Sequence, residues 1–228
     1  STALDKAGGT VNFTGFSGIN SGTGTASLTA TNGDITGPQT ITGTTVNLTA
    51  TGGAIGSCTS PVGVSATAIN LTAGGGSPGG DIYITTANAL AASNLSITVS
   101  GTDNFVSLNT SSSFTVDGDL NIGNNGLQIG AASFTLDAGK TVTSQDLWVV
   151  STGAVDLAGT LTIGDSIRIK GATVIQTTGS VNADALAVIA TSKNGSNQSV
   201  KLTGATNSFT IFAADTTGAA GGSVAASA

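Results

Sequence analysis

Residues 26–35 read Ala26-Ser27-Leu28-Thr29-Ala30-Thr31-Asn32-Gly33-Asp34-Ile35, and residues 45–55 return as Thr45-Val46-Asn47-Leu48-Thr49-Ala50-Thr51-Gly52-Gly53-Ala54-Ile55. Leu28 and Leu48 stand 20 apart, as do Ile35 and Ile55. A third copy, Ile69-Asn70-Leu71-Thr72-Ala73-Gly74-Gly75, follows at a slightly longer interval, and Asn94-Leu95-Ser96-Ile97 reads as a fourth. Within each copy apolar side chains alternate with Ser, Thr or Asn, the period-two signature of a half-buried β-strand.

The second half keeps this register with other residues. Phe114, Phe134, Val155 and Val174 form one apolar track. Leu127, Leu147, Ile167 and Ala187 form a second at 20-residue steps, and Leu120, Val142, Leu161 and Val181 a third. Three tracks in one period mean three short strands per repeat. Asn32-Gly33, Gly52-Gly53, Asp117-Gly118, Asn125-Gly126 and Asn194-Gly195 punctuate the pattern, and such pairs are expected to turn the chain through positive φ.

One such repeat cannot bury its apolar side chains alone, so it must coil and stack on the next. The expected fold is all-β: a parallel β-helix with about 20 residues and three short strands per coil, roughly eleven coils in all. It is taken as right-handed because crossovers between parallel strands usually are. A Greek-key sandwich also has short alternating strands but does not require a register carried through three tracks. Residues 1–215 are expected to form a single β-helix domain. Residues 216–228, rich in Gly, Ala and Ser, read as a tail or a linker to a neighbouring segment or subunit.

Composition narrows the chemistry. The 228 residues include 34 Gly, no Met and no His, and charged residues make up only 8%. All 12 acidic residues are Asp. Ser and Thr together supply roughly 28% of the chain, well above ordinary usage. Without His there is no Ser-His-Asp or Cys-His nucleophile and no His-containing zinc site. The single Cys58 cannot form an internal disulfide, and with no cation beside it in sequence it is expected to be a small buried apolar residue. Net charge is −6, and the cations Lys6, Lys140, Arg168, Lys170, Lys193 and Lys201 are scattered, which argues against nucleic acid and against an anionic membrane surface. No apolar stretch approaches the roughly 18 residues needed to span a bilayer. The chain opens on Ser1, as a processed chain or a piece of a longer one would.

The units at 46–57 (VNLTATGGAIGS) and 26–37 (ASLTATNGDITG) resemble the repeats of filamentous-haemagglutinin-type exoproteins and autotransporter passengers. The resemblance spans about residues 10–212. It implies a right-handed β-helix in a secreted or surface-exposed bacterial structural protein or adhesin. The NPNG and NPNL motifs of the two-partner secretion domain are absent, and so is an RGD tripeptide.

A β-helix can also carry a polysaccharide-degrading enzyme, which would need converging carboxylates and a basic residue. The candidates are Asp117 and Asp119, with Asp103, Asp137 and Asp156 on other coils, and Arg168-Ile169-Lys170, which matches the RIK tripeptide of polygalacturonase-type hydrolases. The companion GHG, DD and NTD motifs are missing. The simpler reading flanks the Gly118 turn with the two Asp and points Arg168 and Lys170 to solvent.

Gly74–Tyr83 resembles one calcium-binding nonapeptide but occurs once, so a bulged loop is expected there. Thr-x-Thr pairs at 29/31, 49/51 and 160/162 suggest an ice-binding face only if repeated on every coil. Trp148 and Tyr83 read as packing residues, with sugar stacking the alternative. Asn-x-Ser/Thr sequons at Asn12, Asn47, Asn70, Asn94, Asn109, Asn194 and Asn197 follow from the abundance of Ser and Thr.

These readings predict no catalytic, metal or cofactor site. They point to a non-enzymatic extracellular structural protein, a rigid segment of a surface adhesin or a subunit of a head-to-tail filament. Its partners would be other copies of itself or further β-helix segments end to end, with host or surface glycans or proteins as further candidates. The alternatives are a pectinase-like enzyme and an ice- or carbohydrate-binding solenoid.

Overall fold

A computed structural model describes residues 2–6, 8–15, 17–75, 79–192, 198–202, 208–215 and 223–226. The Asn194-Gly195 turn, the Asn194 and Asn197 sequons, Gly76–Pro78 of the glycine-rich loop and much of the expected tail lie outside these. The chain is a parallel β-solenoid of about nine turns with about 21 residues per turn. Among the described residues the one helical element is a 3-10 turn at Ala92–Asn94.

Contacts divide the chain into two compact units. The first comprises 1–88, 94–110 and 124–126. One of its sheets stacks Thr2–Lys6, Thr25–Ala30, Thr45–Ala50, Ala68–Gly74 and Leu95–Ser100, all parallel and in register. The quoted repeats therefore lie directly over one another: Leu28 pairs with Leu48, Leu48 with Leu71, and Leu71 with Ile97. A second sheet stacks Ile19–Asn20, Thr40–Thr42, Val62–Ser65, Ile82–Thr86 and Phe105–Thr110. The third face is short: Val11–Asn12 pairs with Ile35–Thr36, and bridges carry it through Ile55 to Ile82.

The second unit comprises 89–93, 111–123 and 127–228 and repeats the plan. One sheet stacks Leu90–Ala91, Ser113–Val116, Ser133–Leu136, Val155–Leu157, Val174–Gln176, Gln198–Leu202 and Ser223–Ala226. The last strand lies within the segment expected to be a tail, and it pairs with Gln198–Leu202. The other two faces are formed by Leu120–Asn121, Thr141–Ser144 and Thr160–Ile163, and by Asp146–Ser151 and Ser166–Gly171; the long strand Val181–Ala190 joins both.

Alternation decides what is buried. In Thr25–Ala30 and Thr45–Ala50 every second residue, Ala26, Leu28, Ala30, Val46, Leu48 and Ala50, has almost no exposed surface. Fully burying one Leu contributes roughly 1.5–3 kcal/mol, and the stack repeats that gain at each coil. Phe114 and Phe134 stack in the second unit with ring centroids 6.1 Å apart, both fully buried, and Val155 and Val174 continue the column.

Three expectations need correction. There are about nine turns of about 21 residues instead of eleven coils, and the spacing is uneven: Leu28 to Leu48 is 20 residues, Leu48 to Leu71 is 23, and Leu71 to Ile97 is 26. The track through Leu127, Leu147 and Ile167 continues to Leu186, not Ala187; Ile167 pairs with Leu186, while Ala187 pairs with Arg168 and is not buried. That coil is one residue shorter, and a one-residue step exchanges the faces of a strand. Third, Asn32 has φ 58, but Gly33, Gly52, Gly53, Gly118 and Gly126 are not at positive φ. Clearance explains them better. A Cβ on Gly52 would lie 2.5 Å from Asn32 Cα on the coil below, and one on Gly126 would lie 2.9 Å from the Phe105 ring.

Gly52→Ala is thus expected to lower stability by about 1–3 kcal/mol, the usual penalty for overpacking. Phe134→Ala should cost about 3–5 kcal/mol. Chemical denaturation followed by circular dichroism measures both. A Gly52→Ala chain as stable as the parent would remove the clearance argument.

Candidate functional site

Polar chemistry concentrates at the corners, where the strand ladder stops and backbone N–H groups lose their regular acceptors. Five Asp side chains supply replacements from one coil away. Asp34 Oδ1 accepts from the Ala54 N–H at 2.8 Å, and Asp81 Oδ1 from the Phe105 N–H at 2.8 Å. Asp117 Oδ1 accepts from the Ser93 N–H at 2.8 Å, and its Oδ2 from the Ser93 hydroxyl at 2.7 Å. Asp119 Oδ1 accepts from the Thr141 N–H at 2.9 Å, and Asp146 Oδ1 from the Ser166 N–H and hydroxyl. Each bond joins residues 20 to 24 apart in sequence. The short Asp arm bridges adjacent coils with little rotamer entropy to lose, whereas Glu would have another bond to order. That gives the choice of Asp at these five corners a physical reason.

Asn residues act alike. Asn125 Oδ1 accepts from the Asn104 N–H at 3.0 Å, and Asn104 Oδ1 accepts from Gly80 N–H at 2.9 Å, so two buried amides link three successive corners of the first unit. Through Asn104 and Asp81, the glycine-rich stretch is tied to the next coil. On the outer face of the sheet that carries the quoted repeats, Asn47 donates to the Ser27 hydroxyl at 3.1 Å and Asn70 donates to Asn47 Oδ1 at 2.7 Å.

The residues proposed for polysaccharide cleavage are not brought together. Asp117 binds the preceding coil and Asp119 the following one, so the two carboxylates serve opposite axial directions. Arg168 and Lys170 project outward from Ser166–Gly171, while Ile167 and Ile169 are buried. That strand pairs with Asp146–Ser151 and Val181–Ala190 and belongs to a different face from Ser113–Val116. Asp156 points outward from Val155–Leu157, Asp137 closes a turn through its carbonyl to the Lys140 N–H, and Asp103 occupies a positive-φ corner of the first unit. Among the described residues no three His, Cys, Asp or Glu side chains could share a metal ion.

The hydrogen bonds from Ser93, with a smaller contribution from Lys140, hold the Asp117 carboxyl below its ordinary value of 3.8. Burial, with the Asp81 and Cys58 charges nearby, pushes the Tyr83 phenol up. Tyr83 packs against Phe105 at 6.0 Å between ring centroids, as a packing residue should.

Two single residues depart from expectation. Cys58 is exposed, not buried, because it occupies the two-residue turn closed by reciprocal Ser57 and Ser60 backbone bonds. Trp148 is 44% exposed instead of packed, at an outward position between the buried Leu147 and Val149. The Thr-x-Thr pairs share no single face: Thr31 and Thr51 fall outside strands, and Thr160 and Thr162 belong to the second unit. A Thr column does exist at Thr29, Thr49, Thr72 and Thr98, each the residue after the repeated Leu or Ile.

Comparison with protein-family models, curated proteins and solved structures finds no match.

Replacing Asp117 with Ala should cost about 1 kcal/mol at neutral pH, the usual worth of such a bond. Because the folded carboxyl titrates below 3.8, this contribution is complete above that pH and is lost as pH falls through the folded value. The variant should therefore lose less stability than the parent on acidification, read from thermal melts between pH 7 and pH 2. Cys58 should react with one equivalent of maleimide in the native chain about as fast as in denaturant; strong native protection would contradict its exposed position.

Proposed function

We propose that this chain is a non-enzymatic extracellular structural protein, either a segment of a bacterial surface adhesin or a subunit that stacks head to tail. The observation that carries the reading is the use made of its carboxylates. Of the groups that would have to act as acid and base, Asp117 accepts through both oxygens, from the Ser93 N–H and hydroxyl, and Asp119 accepts the Thr141 N–H through Oδ1. Asp34, Asp81 and Asp146 are engaged in the same way. Side chains committed to holding coils together are poor candidates for binding and releasing protons during turnover.

The resemblance of the 26–37 and 46–57 units to exoprotein repeats supports an extracellular setting, as does a surface of Thr, Ser and Asn with few charges. Stacking also suggests the partner. A parallel ladder ends in unpaired backbone groups, which another coil of the same kind satisfies best. A contact of that sort does not close on itself and propagates as a filament.

Incubation with neutral and acidic polysaccharides should release no reducing ends and no unsaturated products above a buffer control. Turnover that disappears in Asp117→Asn or Asp119→Asn would overturn the non-enzymatic reading. Sedimentation velocity across a hundredfold concentration range separates its two forms: growing assemblies identify a filament subunit, and a constant monomer identifies a segment that needs its neighbours.

A further inference from the structure

We propose that the outward face of Asp146–Ser151, Ser166–Gly171 and Val181–Ala190 binds an acidic polysaccharide, with Trp148 stacking on a sugar ring and Arg168 and Lys170 pairing with its carboxylates. This goes beyond the structural role and holds whether or not the chain polymerises.

Register places the residues. Trp148 pairs with Arg168 and Arg168 with Ala187; Val150 pairs with Lys170 and Lys170 with Ile189. Buried Leu147, Val149, Ile167, Ile169, Leu186 and Val188 alternate with them, so the six named partners share the outer surface. Neighbouring strands are about 4.8 Å apart and alternate residues about 7 Å apart, which sets the indole and the two cations on one small grid. Trp148 and Ile189 are 44% and 37% exposed and, with Leu4, are the large apolar side chains left open among the described residues. The chain's only Trp and only Arg are direct cross-strand neighbours.

Charge selects the ligand. The protein carries −6 overall, yet two of its six cations stand two residues apart on this face, and neither has an ion-pair partner among the described residues. Asp146, the carboxylate on the same face, is held by Ser166. Asp184 is exposed just before the Ala185–Ala190 run, and Asp165 accepts the Asp184 N–H through its backbone carbonyl. An anionic ligand is therefore favoured at the Arg168 and Lys170 end and disfavoured at the start of the strands.

Two cations are too few for nucleic acid or an anionic bilayer, which take several more. A protein partner would need a larger apolar centre than Trp148, Val150, Ala187 and Ile189 supply. A sugar ring matches better: its C–H face lies against the negative face of the indole, and a uronic acid carboxylate suits the planar Arg fork. Ala187 and Val150 keep the platform low beside the ring. Repetition along a polymer would add avidity to a weak single contact.

The sole Trp makes the test direct. Titrating the full chain with a glucuronic or mannuronic acid hexasaccharide should give a saturable change in Trp emission at low salt, weakened at least tenfold in the Arg168→Ala/Lys170→Ala variant. A neutral glucose hexasaccharide should produce no change. Because Trp148→Ala removes the signal, its binding is read by calorimetry and should fall at least tenfold, with an unaltered circular dichroism spectrum. No emission change at millimolar uronate, an equal response to the neutral sugar, or full binding by the Arg168→Ala/Lys170→Ala chain would each overturn the proposal. So would equal affinity for a sulfated hexasaccharide lacking carboxylates. None of these results bears on sedimentation or on polysaccharide cleavage.

Discussion

Each coil is held by the one beneath it through backbone hydrogen bonds between parallel strands in register. Every other feature depends on that ladder. It sets like over like, so that Leu28, Leu48 and Leu71, or Phe114 and Phe134, fill the same slot on successive coils. A side chain that does not fit its slot is wrong for two neighbours at once. The ladder also dictates where Gly must stand, since the Cβ missing from Gly52 leaves the space for Asn32 below.

The ladder cannot continue around corners, and there the structure turns to Asp and Asn. Asp34, Asp81, Asp117, Asp119 and Asp146 accept backbone N–H groups one coil away, while Asn104 and Asn125 do the same with buried amides. Five of the 12 Asp are used in this way, in a chain that has no Glu. The same use gives the acidic pair that resembles a hydrolytic centre a structural role on each side. Asp117 and Asp119 lie two residues apart in sequence but serve different coils.

Much of the fold was legible because identical slots leave identical residues. The tracks Phe114, Phe134, Val155, Val174 and Leu120, Val142, Leu161, Val181 are paired as their spacing indicates. Fixed spacing failed where a corner gained or lost a residue. Ile167 meets Leu186 because its coil is one residue short. Exposure was less legible. Cys58 and Trp148 have the residue types of a core, and only the loop closed by Ser57 and Ser60, or the strand phase set by Leu147 and Val149, places them outside. The polar outer face offered little signal, because alternation marks which side faces water and not what that side holds.

Cross-linking tests the register most directly. In a Cys58→Ser background, Ser27→Cys/Asn47→Cys places two thiols on paired residues of adjacent coils, whereas Ser27→Cys/Leu48→Cys places them on opposite faces of the same two strands. Strand spacing of about 4.8 Å suits a disulfide for the first pair. Mild oxidation of the monomer should close that pair readily and leave the second reduced. Failure of the first pair to close, or equal closure of both, would contradict a stack of coils in register.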